Sequence, residues 1–263
     1  MKDNEDLKDE EFSAKLQELA VLSEEHADLE LEIQKITHKK LAPFYSRRRQ
    51  VVRTLPGFWP TALRGCDELA DYISYEDDEL LDHLVDLHVT YLDDVDEDAA
   101  TDSQGRKILS RVRFEFEFED NDFLVDNRIE KTFALVSFAA ESDDESDDEA
   151  AGPKKKTTQT KYTSVPTKLV WKKHKNLTKG KYGASTNSFF NWFRFAGDGP
   201  GDYAGGDEVA LTISEVVFPE AEKLYIAGMG KDGDDDDEDD ELEDEYDVGS
   251  DDEPPKKRVK SSD

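Results

Sequence analysis

The stretch RVRFEFEFE, residues 111–119, decides the fold class of this chain. In it, charged and apolar residues alternate one by one over nine positions. Successive side chains of a β-strand point to opposite faces, so this period of two predicts a strand with one buried face and one charged face. The buried face would carry Val112, Phe114, Phe116 and Phe118.

Three more segments have strand-like patterns. In VDLHVTYL, residues 85–92, the apolar side chains on one face are Val85, Leu87, Val89 and Tyr91. NRIEKTFALVSF predicts a third strand over 127–138, and TKLVWK predicts a fourth over Thr167–Lys172. Antiparallel pairing is the simplest arrangement for strands with short connections, so the sequence predicts a four-stranded antiparallel sheet.

N-terminal to the sheet, residues 10–53 predict one long helix. Apolar residues recur there mostly every three or four positions, with His26 inside a gap of seven, and the resulting seam is Phe12, Leu16, Leu19, Leu22, His26, Leu29, Ile33 and Ile36. A helix of about 40 residues is about 60 Å long, which is too long for one small core. The seam therefore favours a partner helix, although packing on the chain's own domain stays open. Pro43 should kink or end the helix.

The remaining folded segments have weaker patterns. TLPGFWPTAL, residues 54–63, contains two prolines and a glycine and predicts an irregular connector, with the rings of Phe58 and Trp59 in the core. Short helical pieces are predicted over 67–73 and 75–84, with Ser74 as the N-cap of the second. After the glycine-rich loop GDGPGDYAGGDE, residues 208–226 predict a helical region.

Three segments lack the composition of a folded core. Residues 1–9, the insertion 139–163 and the tail 228–263 are rich in charged and small residues, which predicts disorder. The single cysteine, Cys66, fits a reducing compartment, and the N-terminus lacks the apolar stretch of a signal peptide. We therefore expect a soluble intracellular protein.

The charge of the chain bounds its partners. It carries 65 acidic and 34 basic residues, for a formal net charge of −31. Residues 232–253 hold sixteen of the acids and no Lys, Arg or His, so the rest of the chain is acidic as well. Such a surface repels nucleic acids and anionic lipid and attracts basic proteins. We expect no membrane and no direct nucleic-acid partner; a tail that only keeps the protein in solution is the alternative.

No arrangement of residues points to catalysis. The five histidines are scattered, and His83 and His88 have no third ligand nearby in the sequence. The chain contains no glycine-rich phosphate loop, no HExxH and no GxSxG motif. We therefore predict a protein that is not an enzyme and that uses no metal or other cofactor.

A basic cluster follows the acidic tail. PPKKRVK, residues 254–260, matches the basic nuclear-import pattern through Lys256, Lys257, Arg258 and Lys260. A nuclear address on a polyanion narrows the partners to basic nuclear proteins, of which histones are the abundant class. We therefore predict a nuclear protein that binds core histones, with exchange between nucleus and cytoplasm left open.

Several motifs together resemble the nucleosome assembly protein family, most of all its SET-type subgroup. They are LPGFWPTAL, ISYEDDELLDHLVDLHVTYLDD, RFEFEFEDNDFLVDNRIEKTF, LVWKKHKNLT, SFFNWF and DEVALTISEVVFPEAEKLYI. The resemblance spans roughly residues 10–227 and implies a histone chaperone with an α+β fold. In that family the long N-terminal helix pairs antiparallel with that of a second copy. Residues 54–227 would then form an "earmuff" domain with a four-stranded antiparallel sheet and helices, and a disordered acidic tail would follow.

The resemblance also implies an acidic underside of the earmuff domain that receives histones. On the folded domain we select Glu115, Glu117, Glu119, Asp120, Asp122, Asp207, Glu208 and Glu215. In the tail we select, as a collective, Asp234, Asp235, Asp236, Asp237, Glu238, Asp239, Asp240 and Glu241. The alternative for each is an ordinary solvated surface acid.

Two further interpretations stay open at this point. The SET-type resemblance also allows a regulatory role, as a cofactor of a histone acetyltransferase or an inhibitor of a protein phosphatase. Ser142, Ser146 and Ser250 each begin an S-D-D-E motif, which resembles the site of an acidophilic kinase; a phosphate there would add negative charge.

Overall fold

The structure is a computed structural model with an α+β fold, and it describes residues 3–92, 101–141, 156–197, 199 and 202–231. Its helices are α1 (Asp3–Val52), α2 (Phe58–Arg64), α3 (Asp78–Leu81), α4 (Gly206–Leu211) and α5 (Ala221–Lys231). Its strands are β1 (Leu84–Tyr91), β2 (Lys107–Phe118), β3 (Arg128–Glu141) and β4 (Lys156–Ser164). Short 3-10 segments cover Asp67–Leu69, Tyr75–Asp77, Lys181–Gly183 and Phe189–Arg194, and a π-helical turn covers Thr212–Val217.

The four strands form one antiparallel sheet in the order β1-β2-β3-β4. The alternation that predicted β2 is confirmed, because Phe114 and Phe116 are fully buried. Their ring centroids lie 5.4 and 6.1 Å from that of Trp192. The 3-10 segment Phe189–Arg194, which contains the aromatic motif SFFNWF, therefore covers the core face of the sheet.

The predicted fourth strand, Thr167–Lys172, is wrong. Those residues form only an isolated bridge between Trp171 and Leu124, because they run beside the β2–β3 turn and not along a strand. The true fourth strand, β4, falls inside 139–163 except for its last residue, Ser164, and β3 enters the same span at its end; the sequence predicted this span to be disordered. β4 reads KTTQTKYTS, and its β-branched threonines fit a strand although it has almost no apolar residues. Residues 142–155 of that insertion lie outside the described residues.

Three helix boundaries also differ from prediction. α1 begins at Asp3, within the span predicted as disordered, and continues through Pro43 to Val52. Phe58–Arg64 is helical where an irregular connector was predicted; Pro60 is its third residue, where the amide has no partner within the helix. α5 continues past Gly228, whose hydrogen faces Thr61: a Cβ there would lie 2.8 Å from the Thr61 carbonyl oxygen.

Other predictions are confirmed. Phe58 and Trp59 are buried in the core, and Ser74 caps the segment that starts at Tyr75. The cap is a capping box, in which the side chains of Ser74 and Asp77 bond reciprocally to each other's backbone.

The last turns of α1 are fixed to the domain, whereas the apolar seam of its first two thirds is exposed. Asp86 on β1 is fully buried and pairs with Arg49 and with Arg53, the latter at 2.9 Å. Buried Arg48 donates to the Pro219 carbonyl at 3.1 Å and to Glu222 at 3.3 Å. By contrast, the apolar seam residues are 47–66 % exposed, and His26 is exposed as well; the seven are Phe12, Leu16, Leu19, Leu22, Leu29, Ile33 and Ile36. One face of α1 therefore has no partner among the residues that the structure describes.

A lysine lies in the centre of the core. Lys131 on β3 is 1 % exposed, and its Nζ donates to the carbonyls of Phe193 and Phe195 at 3.1 and 2.9 Å. The ammonium also lies 5.0 Å from the centroid of the Phe133 ring. Burial lowers the pKa of Lys131 to about 7, opposed in part by the charge of Asp202. Lys131 thus links the sheet to the end of the aromatic 3-10 segment.

We expect this lysine to make stability depend on pH. Between pH 7 and about 10.5 the unfolded chain holds a proton on Lys131 that the folded protein has released, so the free energy of unfolding should rise with pH in that window. The slope from one group is at most about 1.4 kcal/mol per pH unit. Urea titrations at pH 7.0 and 8.5 should show a rise in the wild-type protein that Lys131→Met lacks. Identical slopes for the two proteins would mean that the buried ammonium does not titrate there.

Candidate functional site

Two of the predicted acids on β2 already have cationic partners. Glu115 pairs with Arg128 on β3, and Glu117 pairs with Arg53 at the end of α1. The Glu115 side chain is only 13 % exposed. The hydrogen bond that Arg128 donates to Glu115 is the largest cause of the raised pKa of Arg128. These two carboxylates therefore link neighbouring strands and attach α1 to the sheet. A histone could bind them only if an existing ion pair were broken.

The turn after β2 presents its acids outward. Buried Asn121 organises the turn: its Oδ1 accepts from the backbone amides of Phe123 and Leu124 at 2.9 and 2.8 Å. Asp122 beside it is exposed. The turn is therefore held from within, so that its carboxylates face solvent.

Two neighbouring acids of this turn have polar partners of their own. Glu119 lies 3.1 Å from Nδ1 of His83. Asp120 accepts from Asn127 Nδ2 at 2.9 Å. Both partners leave the carboxylates exposed, so these side chains stay accessible to a cationic ligand.

A second acidic group lies near a tyrosine hydroxyl. Tyr72 donates to Glu208 at 2.7 Å. This hydrogen bond, with burial and the nearby charges of Glu208, Asp207 and Asp71, raises the pKa of Tyr72 to about 12. The phenol therefore remains a donor at neutral pH and holds Glu208 in place. We call Asp71, Asp207, Glu208 and Tyr72 the Tyr72 cluster; its three carboxylates are exposed.

Two glycines allow the Tyr72 cluster to form. Gly205 has φ 69°, and a Cβ there would lie 2.3 Å from the Tyr72 hydroxyl oxygen. A Cβ on Gly206 would lie 2.3 Å from the Phe195 ring, and the Gly206 carbonyl accepts from Trp192 Nε1 at 2.7 Å. The loop GDGPGDYAGGDE thus seats Tyr72 at the N-terminus of α4, directly before Asp207.

The predicted acids do not form one site. Glu215 lies beside Arg111 and Tyr162, in a crevice that Lys35 of α1 also lines. Arg111 lies near the middle of β2, eight residues or about 27 Å from Glu119 in the β2–β3 turn. The structure therefore separates Glu215 from the turn acids, and it places Asp207 and Glu208 with Tyr72 in a third location.

Sequence reasoning missed Asp71, although the chain contained a signal. From Gly65 to Gly105 there are fifteen acids and no Lys or Arg. Within this run, Asp67, Glu68, Asp71, Glu76, Glu79 and Asp82 are exposed. Arg64, directly before the run, pairs with Asp78 at 2.9 Å and Asp82 at 2.6 Å. The absence of Lys and Arg over 41 positions marks this stretch as acidic more clearly than any single residue does.

A basic surface adjoins the β2–β3 turn. Lys172 Nζ donates to the Asn121 carbonyl, and the Lys175 ammonium lies 4.5 Å from the centroid of the Phe123 ring. The backbone of Lys172 also donates to the Phe123 carbonyl at 2.7 Å. The acids of the turn and the lysines that follow β4 are therefore direct neighbours.

Several predicted residues lie outside the described ranges. These are the tail acids Asp234–Glu241, the import cluster Lys256–Lys260, and the serines 142, 146 and 250. Within the described ranges, no three His, Cys, Asp or Glu side chains come together in a way that could hold a metal ion. No helix in the same part of the chain is long and apolar enough to span a membrane.

Comparison with known proteins agrees with this geometry. A model of the nucleosome assembly protein (NAP) family matches residues 8–251. A Schizosaccharomyces pombe protein named for this family is 30 % identical over 236 residues, covering 89 % of this chain and 88 % of the relative. Protein SET of Drosophila melanogaster is 26 % identical over 227 residues, covering 82 % and 72 %.

Solved structures share the fold. A crystal structure of a Ccp1 mutant has a TM-score of 0.68 and 25 % identity, covering 84 % of this chain and 98 % of that one. The crystal structure of the Vps75 histone chaperone has a TM-score of 0.57 at 20 % identity, covering 83 % and 99 %. The long helix, the antiparallel sheet and the match over most of the sequence lead to one conclusion: the chain belongs to the nucleosome assembly protein family.

Proposed function

We propose that this protein is a histone chaperone that binds core histones through separate acidic surfaces and so promotes nucleosome assembly. The observation that carries the proposal is the Tyr72 cluster, in which exposed Glu208 accepts from the Tyr72 hydroxyl and the exposed carboxylates of Asp207 and Asp71 lie close enough to raise the pKa of that hydroxyl. Family membership supports the same reading, since nucleosomes are assembled from histones and DNA. The β2–β3 turn and the tail acids would add further carboxylates.

The mechanism follows from the strength of exposed ion pairs. Each contributes only about 0–1 kcal/mol, so affinity requires many pairs acting together. Carboxylates that occupy histone lysines and arginines compete with DNA phosphates. They suppress loose histone–DNA aggregates and yield only to the more extensive contacts of a wrapped nucleosome. Binding should weaken with salt, because the Debye length is about 8 Å at physiological ionic strength.

The exposed face of α1 supports a homodimer. Positions 12, 19, 26 and 33 form one row of a heptad seam and positions 22, 29 and 36 the other, with Leu16 one position out of step with the second row. In an antiparallel pair, layers form between residues whose numbers sum to 48: Phe12 with Ile36, Leu19 with Leu29, and Leu22 with His26. This register places each His26 against a leucine, whereas a parallel register would pair the two His26 side chains. We therefore infer antiparallel pairing centred near residue 24.

A nuclear location follows from the proposed role, and exchange with the cytoplasm stays a prediction. Which histone pair is bound, and the regulatory alternative through an acetyltransferase or a phosphatase, also stay predictions. No described residue favours the alternative over histone binding.

The Tyr72 cluster can be tested with a charge-matched pair of variants. We expect Asp71→Asn/Asp207→Asn/Glu208→Gln to weaken binding to core histones about tenfold at 150 mM salt, since three weak pairs are lost. The same variant should also suppress histone–DNA precipitation less well. The control Glu24→Gln/Glu25→Gln/Asp28→Asn removes the same charge from exposed positions on α1 outside the seam. Equal losses of histone affinity in both variants would mean that the cluster acts only through the overall charge of the chain. Unchanged histone–DNA aggregation with excess wild-type protein would overturn the proposed function.

A further inference from the structure

One segment of this acidic chain carries basic residues and no acids. From Ala150 to Gly197 there are eleven Lys or Arg and no Asp or Glu. The tail segment 232–253 is the opposite case, with sixteen acids and no bases. In a chain with 65 acids, 48 consecutive positions without one rarely occur by chance. The basic segment therefore indicates an anionic partner.

The structure exposes several lysines of this segment. Lys168, Lys172, Lys173, Lys179 and Lys181 are exposed, and we call these five the lysine surface. Its backbone is well defined: Lys175 N donates to the Lys172 carbonyl, and Lys179 bridges to Ser185. The segment is also tied to the domain through Lys172, whose backbone amide donates to the Phe123 carbonyl at 2.7 Å.

An aromatic residue marks the tip of the lysine surface. Tyr182 is fully exposed and has φ 62°, a conformation that is unfavourable for a residue other than glycine. The turn that holds it is closed by hydrogen bonds between Gly180 and Ala184 and between Gly183 and Gly180. The tip thus carries a ring between Lys181 and the second turn glycine, where an extended anionic segment could contact both ring and ammonium groups.

We propose that the lysine surface binds the acidic segment Asp232–Glu253 of this same chain. The charges are complementary, and reach is sufficient: α5 ends at Lys231, and 22 extended residues span about 70 Å. A domain of this size has a radius of gyration of about 16 Å, so the segment reaches any point on it.

A tethered anion has an advantage over a free one here. DNA must approach a molecule of net charge −31 against long-range repulsion, whereas the tail is already attached and its effective concentration is in the millimolar range. The lysine surface also adjoins the β2–β3 turn, so a tail bound there lies close to acids that histones would use. This consequence rests on the proposed function: histones must displace the tail from the lysine surface before they can bind the carboxylates of the tail.

Zero-length carbodiimide cross-linking of the full-length, histone-free protein tests the contact directly. Links from tail carboxylates should fall mainly on Lys168, Lys172, Lys173, Lys179 and Lys181, and Lys173→Gln/Lys179→Gln/Lys181→Gln should reduce them about fivefold. The control Lys35→Gln/Lys39→Gln/Lys223→Gln should leave those links unchanged. Tail links spread over the molecule in proportion to its exposed lysines would overturn the proposal.

Two binding measurements separate the tail from other occupants and from the proposed function. A 20-base-pair duplex should bind the chain lacking residues 232–253 at least tenfold more tightly than the full chain. If both bind it equally, the lysine surface is free for DNA and the tail does not cover it. The triple lysine variant should bind histones about threefold more tightly than wild type. If the wild-type protein does not bind histones while the cross-links map as expected, the proposed function fails and the tail contact stands. If the histone affinity of the triple lysine variant does not rise, the tail does not restrict histone binding.

Discussion

Replacing Asp77 by alanine should lower the free energy of unfolding by about 3–5 kcal/mol, because four hydrogen bonds converge on one buried carboxylate. Asp77 is fully buried and accepts from the backbone amide and hydroxyl of Ser74 at 2.9 and 2.8 Å. It also accepts from the Ser188 hydroxyl and, at 2.8 Å, from the Phe189 amide. One side chain thus caps the helical segment before β1 and anchors the start of the aromatic 3-10 segment more than 100 residues away.

Urea denaturation followed by tryptophan fluorescence would measure this loss. Glu76→Ala, at the exposed neighbouring position in the same first turn, is the matched control and should change stability by less than about 0.5 kcal/mol. Ser188→Ala removes one of the four donors and should cost about 1–2 kcal/mol. A loss for Asp77→Ala no larger than that for Ser188→Ala would contradict the central role of this carboxylate.

Placing aspartate at both Leu19 and Leu29 should convert the proposed dimer into a monomer. In the antiparallel register these residues face each other, so the variant replaces four seam leucines per dimer with carboxylates. Burial of each leucine contributes about 1.5–3 kcal/mol, and the sum exceeds about 6 kcal/mol, or more than a ten-thousandfold change in dissociation constant. Sedimentation at micromolar concentration should give the 29.9 kDa chain mass for the variant and twice that mass for wild type.

The control for this variant adds the same charge elsewhere on the helix. Gln17→Asp/Ala27→Asp places two carboxylates at exposed positions outside the seam and should leave the dimer intact. If the Leu19/Leu29 variant sediments as a dimer, the two copies associate through another surface. A monomeric wild-type protein would remove the partner that the α1 seam was inferred to have.

Elements whose burial produces a local pattern of apolar residues could be predicted from the sequence. β2 alternates strictly because one of its faces packs on Trp192 and the other bears charge, and that signal is visible in nine residues. β4 could not be recognised in this way. It is an edge strand with polar side chains, and what makes it a strand is its pairing with β3, with Tyr162 opposite Leu135. Lysines and threonines without large apolar residues indicated disorder when read alone.

The candidate site shows the same limit. Glu115 and Glu117 were selected from the charged face of a strand, but their pairing with Arg128 and Arg53 depends on the tertiary fold. Asp71 is 136 positions from Asp207 in the sequence, and only the fold brings both beside one phenol. The sequence did contain one signal, the long run without Lys or Arg from Gly65 to Gly105. This signal lies in the local composition and not in the spacing of a motif.

The firm attachment of α1 to the domain has a geometric consequence for the pair of domains. Because Arg48, Arg49 and Arg53 fix the helix end, each domain must follow any rotation of the helix about its own axis. One residue inserted between Ile36 and Tyr45 would turn the domain by about 100° and advance it by about 1.5 Å. Two copies would then point their acidic surfaces in different azimuthal directions. The number of residues between the α1 seam and its attachment at Arg48 therefore sets the angle between the two domains of the pair. Four extra residues, close to one full helical turn, would nearly restore the original angle.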